Sequence, residues 1–179
     1  MTVAAQDCAT CPVHNAANLT KLGVETTVIE PADPQKFAAA IRDETRPKAL
    51  LGTFHCPWTD TERDGALRKK LGIDLKAQAR YIDVFSPMPY HARFGYAKDP
   101  AWISRQTKWL GEFLGGGARI WPIVQLSDWG EKVPVEQVAA VLDHGTRAPA
   151  TGVMVFAWGR LRKRPDKVAA MVESYRAMR

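Results

Sequence analysis

Polar and aromatic side chains follow each of four short apolar runs in the sequence, and their types suit the binding of a sugar. A sugar ring has apolar C–H faces and a rim of hydroxyls, so its site combines flat aromatic rings with short polar groups. The residues that would stack on the ring faces are Trp58, Tyr90, Trp129 and Trp158. The residues that would bond the hydroxyls are His55, His91, Gln125 and Asp128.

Core packing explains any single one of these aromatic residues at least as well as sugar binding does. All four run ends carry an aromatic residue, however, and this recurrence favours a binding site. At the second run end, Pro87 and Pro89 are expected to stop strand pairing and to fix the loop that presents Tyr90 and His91.

Hydrolysis of a glycosidic bond normally takes two carboxyl groups, one as the acid and one as the nucleophile or base. Asp128 is the best-placed carboxylate, where it would act as nucleophile, base or hydroxyl ligand. Asp60 is expected to cap a helix, and Asp83 lies inside a strand, where a structural role is favoured. We therefore expect the chain alone to bind sugars without hydrolysing them at a useful rate.

The apolar runs alternate with helical patterns along the chain. Short continuous runs are typical of strands buried on both faces, as in parallel sheets covered by helices. The predicted strands lie at residues 49–54, 81–85, 120–124 and 152–157. The predicted helices lie at residues 36–43, 74–80, 100–114, 135–142 and 165–178. This alternation predicts an α/β protein with right-handed crossovers.

The run ends favour a (β/α)₈ barrel over an open doubly wound sheet. In a barrel every strand delivers functional groups at its carboxyl end. A Rossmann-like sheet instead gathers its ligand contacts at one switch point and usually has a glycine-rich phosphate turn after its first strand. No such turn is present, since Gly115-Gly116-Gly117 follows a predicted helix.

Three stretches carry a resemblance to a known family: "IDLKAQARYIDVFSPMPYHARFG", "RIWPIVQLSD" and "ATGVMVFAWGRL". They resemble the last strands of glycoside hydrolase TIM-barrel domains that are distantly similar to the chitinase-like barrels. The resemblance covers roughly residues 8–160. It implies that Met88 and Tyr90 face the sugar and that Trp158 forms the floor of the pocket. It also implies that the essential acids come chiefly from a fourth strand, and no such strand is apparent before residue 49.

The length agrees with a partial barrel. A complete (β/α)₈ barrel needs about 250 residues, and the chain has 179. We therefore predict about four parallel strands, the fifth to eighth of a barrel, with outer helices in residues 34–179, preceded by a loop segment in residues 1–33. A half barrel exposes sheet edges, which predicts association with a complementary N-terminal half barrel or with a second copy of the chain.

The loop segment contains the sequence "DCATCPVHN", in which Cys8, Cys11 and His14 have metal-ligand spacing. Cys56 or His55 would complete a structural zinc shell. Reduced thiols or a small loop disulfide are favoured over zinc, and redox catalysis is a third interpretation, although no strand precedes the motif. In the resembling families such a motif in the loop after the fourth strand implies a local clasp. No other cofactor is predicted.

Composition narrows the classes of partner. The chain is 46% hydrophobic and 25% charged, which is typical of one globular domain. Its net charge is +6, but the basic residues are spread out, and the one cluster, residues 160–164, suits a solvated loop and helix start, so no nucleic-acid partner is predicted. No stretch approaches the roughly 20 apolar residues of a membrane span. The sequence as written predicts a cytoplasmic protein, an expectation that fails if its native beginning is missing.

Three functional classes follow from these observations. The first is a glycoside hydrolase-like half barrel that binds a polysaccharide or oligosaccharide and is hydrolytic only with its missing strands. The second is a non-catalytic carbohydrate-binding or assembly protein. The third is a redox or metal protein that depends on the two N-terminal cysteines.

Overall fold

The computed structural model describes residues 50–178 of the chain. Within that range it contains five strands, which are β1 Gly52–His55, β2 Val84–Pro87, β3 Arg119–Ile120, β4 Ile123–Gln125 and β5 Met154–Phe156. The α-helices of the same range are α1 Glu62–Lys69, α2 Leu75–Gln78, α3 Ala101–Phe113, α4 Val138–Thr146, α5 Trp158–Leu161 and α6 Pro165–Ala177. A 3₁₀ turn at Val135–Gln137 leads into α4.

All strand pairs in this range are parallel, as predicted. β1, β2 and β3 form one sheet in that order, and β4 and β5 form a second. Only Trp121 and Pro122 separate β3 from β4. Backbone bonds continue across this break, since the Trp121 amide donates to Phe85 O at 2.9 Å and the Met154 amide donates to Pro122 O at 2.9 Å. The α/β class is confirmed, whereas no closed barrel is present among the described strands.

Helices cover one side of each sheet because alternate strand residues are apolar and point the same way. Phe85 and Ile120 are paired in register and belong to one buried cluster with Leu67, Leu75 and Leu110. Val124 of β4 lies in a second buried cluster with residues of α3, α4 and α5. Gly145 lets α4 approach closely, since a Cβ there would meet Val124 Cγ1 at 2.8 Å.

The opposite side of the sheets carries the other strand residues. In register, Thr53 pairs with Phe85, so the neighbouring Phe54 points away from the helices. Phe54 is 65% exposed. By the same alternation Gln125 and Phe156 lie opposite the helix-covered side. This is the side from which the candidate site is built.

The first two strands end later than the sequence predicts. His55 and Pro87 are paired strand residues, and the Met88 amide still donates to His55 O at 3.0 Å. The prediction that Pro87 stops the pairing was wrong. Val84 and Met88 both donate toward β1, so the intervening Pro87 nitrogen faces the other neighbour and the ladder to β1 loses nothing.

The bounds of α3 and α6 agree with the prediction to within one residue, whereas α4, predicted at residues 135–142, runs from Val138 to Thr146. The predicted cap Asp74 accepts a bond from the Ala77 amide at 3.0 Å. Two helices were missed, α1 and α5. Arg63, Asp64 and Gly65 at the start of α1 have left-handed dihedral angles, so α1 is not one regular helix. Asp60 is not the cap of α1, because Thr61 occupies that position. The predicted helix at 36–43 lies outside the described residues.

Between residues 50 and 178, none of the helices is both long enough and apolar enough to cross a membrane.

Candidate functional site

Three aromatic rings meet at the carboxyl ends of β2, β4 and β5. Tyr90 stacks on Phe156 with ring centroids 4.8 Å apart. The Trp129 ring lies edge-on to Tyr90 at 5.8 Å and tilted to Phe156 at 5.2 Å. We call these three residues the aromatic cluster. Because parallel strands end at the same edge, the cluster brings together residues that are far apart in sequence.

The rings of this region differ greatly in exposure. Tyr90 is only 7% exposed, whereas Trp129 is 39% exposed. Trp158, which begins α5 directly after β5, is 58% exposed. Tyr90 is therefore the buried support of the cluster, whereas the Trp129 and Trp158 rings are accessible to solvent.

Arg93 ties the loop after β2 to the cluster. Its guanidinium carbon lies 5.4 Å from the centroid of the Trp129 ring. Its backbone amide donates to Gln125 Oε1 at 3.2 Å, and Gln125 Nε2 donates to Ser127 O at 3.1 Å. Gln125 is fully buried. It therefore positions the loop and does not present its amide to a sugar hydroxyl.

Ser127 fixes the peptide that precedes Trp158. Its hydroxyl donates to Phe156 O at 3.2 Å and accepts a bond from the Ala157 amide at 3.0 Å. The Ser127 hydroxyl thus bonds both the carbonyl of Phe156 and the amide of Ala157 at the end of β5. This contact sets where the backbone delivers Trp158.

We expect Ser127→Ala to lower the free energy of unfolding by about 1–3 kcal/mol, because the Ala157 amide would lose its partner in a half-buried position. Urea unfolding measures this loss. Ser174→Ala is the matched control, since the Ser174 hydroxyl bonds within its own helix, to Ala170 O, and its effect should be much smaller. Equal effects of the two substitutions would show that Ser127 does not hold the strand end.

Asp128 lies in an ion-pair network. Its Oδ1 accepts bonds from Lys167 Nζ at 2.8 Å and from the Val133 amide at 2.9 Å, and its Oδ2 lies 3.3 Å from Arg164 Nη1. Burial alone would raise the pKa of the Asp128 carboxyl, but the bonds from Lys167 and Val133 and the charges of Lys167 and Arg164 outweigh it and lower the pKa. Asp128 is thus an ionised anchor between β4 and α6. This geometry adds no support to its predicted catalytic role.

His55 and His91 are both buried rather than placed on an exposed edge. His55 Nδ1 donates to Cys56 O at 2.7 Å, and its ring lies edge-on to Phe85 on the helix-covered side. Burial lowers the pKa of His55 to about 4, although the bond to Cys56 opposes this shift. Since Nδ1 donates, Nε2 carries no proton, and in its buried position it has no hydrogen-bond partner among residues 50–178. The sequence had suggested that His55 shares a face with Tyr90 and Gln125. The structure instead places His55 on the helix-covered side of the sheet.

His91 joins the loop after β2 to the 3₁₀ turn. Its Nε2 donates to Gln137 Oε1 at 3.3 Å, while Gln137 Nε2 donates to Ala97 O at 2.7 Å. Burial lowers the pKa of His91, and the bond to Gln137 and the charge of Asp99 oppose that effect. This histidine stabilises the loop and is not available to a sugar.

Trp58 and Met88 lie outside the aromatic cluster. Trp58 is half-buried, with its ring edge-on to Phe94 at 6.2 Å and the Arg63 guanidinium 4.6 Å from its centroid. Met88 is half-buried and directly follows β2. The contacts of Trp58 place its ring in the packing around the loop after β2 rather than in the aromatic cluster.

Two cavities of the described residues lie away from the aromatic cluster. One cavity of about 390 Å³ is lined by residues around α1 and α2, including Leu67, Asp74 and Phe113. Another of about 370 Å³ lies at the amino-terminal ends of the first strands, beside Asp83 and Arg119. The aromatic cluster lines neither of these two cavities.

The proposed zinc ligands Cys8, Cys11 and His14 lie outside the described residues. Cys56 is a free thiol, and its partial burial raises its pKa, an effect that the charge of Arg63 opposes. Within residues 50–178, no group of three or more histidine, cysteine or acidic side chains is arranged to hold a metal ion.

Sequence reasoning missed several residues that build this region. Ser127 lies in the stretch "RIWPIVQLSD" but belongs to no motif that would identify its role. Lys167 lies four residues before Met171, which places both residues on the same face of α6. This spacing was the available signal that Lys167 is buried. Arg93 had no signal, because its contacts depend on how the loop folds back.

No family model matches the chain, and no curated protein or solved structure matches it either.

Proposed function

We propose that residues 34–179 are the C-terminal half of a (β/α)₈ barrel of the glycoside hydrolase type and that its strand ends bind a polysaccharide or oligosaccharide. Consecutive parallel strands with helices packed on one side support the barrel half, since this is the order that a barrel uses. The three sequence stretches that resemble glycoside hydrolase barrels support the same assignment.

The observation that carries the proposal is the pair of exposed indole rings at one strand-end edge. Trp158 is 58% exposed, and Trp129 is 39% exposed. Exposed indoles cost free energy in contact with water, and a sugar face covers them well. The Trp129 ring is already held by Tyr90 and Phe156, so little side-chain freedom remains to be lost on binding.

Hydrolysis by this chain requires a further carboxyl group. Glycosidases hold two such groups on either side of the scissile bond. Asp128 already accepts bonds from Lys167 and Val133 and contacts Arg164. The missing acid would come from an N-terminal half barrel, so the enzyme is expected only in that assembly.

A non-catalytic carbohydrate-binding protein is the second candidate, and the structural use of Asp128 favours it. Purified chain should show no turnover of aryl-glycoside or oligosaccharide substrates, and Asp128→Asn should change stability rather than activity. Robust turnover that Asp128→Asn abolishes would contradict this account and would make Asp128 catalytic.

Replacing Trp158 by alanine should weaken oligosaccharide binding at least about 10-fold, because a stacking surface is lost. The melting temperature should stay near that of the wild type, since the ring is mostly exposed. Isothermal titration calorimetry with a panel of neutral and acidic oligosaccharides measures the affinity. Tyr175→Ala removes another exposed ring, on α6, and should leave the affinity unchanged. Equal affinity of Trp158→Ala and wild type would contradict the proposal.

A further inference from the structure

Two guanidinium groups flank the exposed Trp129. Arg93 lies 5.4 Å from the centroid of its ring. Arg160, two residues after Trp158, donates from Nη1 to the carbonyl oxygen of Asp128 at 3.0 Å. Asp128 directly precedes Trp129, so the two guanidinium groups and the two exposed rings lie in one region.

Neither of these arginines has a carboxylate partner among the described residues. Other surface arginines do: Arg105 pairs with Asp99, and Arg147 pairs with Asp143. Arg160 bonds the backbone carbonyl of Asp128, whereas the carboxylate of Asp128 is paired with Lys167. The charge of Arg93 and Arg160 is therefore available to an external anion.

The loops around the two exposed rings carry more positive than negative charge. Their exposed cationic residues are Arg93, Lys132, Arg160, Arg162 and Lys163. The exposed carboxylate of the loop that carries Trp129 is Glu131, which forms no ion pair within residues 50–178. The local field around the rings therefore favours an anionic ligand.

We propose that this edge binds an oligosaccharide that bears carboxylate groups, such as one built from uronic acid residues. The inference rests on the proposed carbohydrate-binding function and names its substrate class. Each guanidinium matches a carboxylate with two parallel donors, and such charge-assisted bonds are roughly twice as strong as neutral ones. Both arginines are already held by contacts to the edge, so the donors need little reordering when the sugar stacks on the indoles.

A single-stranded nucleic acid also combines flat rings with negative charge. The sugar is favoured because the described aromatic and cationic groups gather at one strand-end edge instead of following an extended groove. A uridine oligonucleotide of matched charge therefore belongs in the test as a competing ligand.

The test is calorimetric titration of the full chain with oligogalacturonates, oligoglucuronates and oligomannuronates, each beside its carboxyl-reduced, neutral counterpart. At least one acidic oligosaccharide should bind about 10-fold more tightly than its neutral counterpart. Arg160→Gln and Arg93→Gln should each remove most of that difference, and Arg160→Gln, which leaves the contact of Arg93 with Trp129 intact, should keep the affinity for the neutral sugar within about 2-fold. Arg176→Gln is the matched control, since it removes the same charge near the far end of α6.

Each contrary result is distinct. Equal binding of acidic and neutral sugars, or equal effects of Arg176→Gln and Arg160→Gln, would overturn the preference for carboxylates while leaving carbohydrate binding intact. Tighter binding of the uridine oligonucleotide than of every sugar would overturn it in favour of nucleic acid. If no oligosaccharide binds, this inference and the proposed function both fall.

Discussion

Replacing Lys167 by methionine should lower the free energy of unfolding by about 3 kcal/mol. The Lys167 side chain is fully buried, and its ammonium group donates to Leu126 O at 2.9 Å and to Asp128 Oδ1 at 2.8 Å. Methionine preserves the apolar stem but leaves a buried carbonyl and a carboxylate without their shared donor. The expected loss lies at the low end for a broken buried pair, because Asp128 is 40% exposed and keeps Arg164.

Urea unfolding of four proteins separates the pair from its parts. The wild type, Lys167→Met, Asp128→Asn and the double variant form a double-mutant cycle. The double variant should lose less stability than the two single losses added together, because each single substitution strands the other partner. Lys163→Met is the control, since Lys163 is exposed, and should change the stability by less than about 0.5 kcal/mol. Additive single losses would show that Lys167 and Asp128 do not interact.

Stability should fall as the pH is lowered from about 6.5 to about 4. Burial holds the pKa of His55 at about 4 in the folded protein, against an ordinary value of 6.5. Between these values the unfolded chain binds a proton that the folded chain does not, so acid favours unfolding. A difference of this size corresponds to roughly 3 kcal/mol. Burial also lowers the pKa of His91, which acts in the same direction.

The histidines and the carboxyl groups affect the pH dependence of stability in different pH ranges. Asp128 and Asp166 have lowered pKa values, so the stability that they add is lost only as the pH falls below about 4. Thermal unfolding between pH 7 and pH 4.5 therefore isolates the histidines. His55→Asn should flatten that profile, and His144→Asn, at a more accessible histidine, should flatten it less. A wild-type profile without slope in this range would contradict the buried, neutral state of His55.

The parts of the fold that depend on local chemistry were predictable from the sequence. The helix Ala101–Phe113 has strong periodicity, Pro165–Ala177 begins at a proline, and the parallel pairing followed from the alternation of helices and apolar runs. The strand ends were less accurate, since a strand ends where its neighbour stops offering hydrogen-bond partners. That information is not local to residues 49–54 or 81–85.

The candidate site divides in the same way. Residue type alone identified Trp129, Trp158 and Tyr90 as aromatic residues after strands, and the structure brings Trp129 and Tyr90 into contact. Gln125 and His91 had the same polar character but proved to be buried, because their partners are Arg93 and Gln137, which no local pattern connects to them. The sequence thus predicts where a polar side chain lies relative to a strand. Its hydrogen-bond partners decide whether it is free to contact a ligand.

The most direct test of carbohydrate binding at this edge is to observe the six tryptophan indole N–H signals separately. The chain labelled with ¹⁵N at the indole nitrogens is titrated with the oligosaccharide panel, and each signal is assigned by a single Trp→Phe substitution. The account predicts that the signals of Trp158 and Trp129 shift with one common affinity. The signals of the buried Trp102 and of Trp109, which stacks on Phe113, should stay in place. Shifts confined to Trp109 or Trp58, or no shift with any sugar of the panel, would contradict the claim that this edge binds carbohydrate.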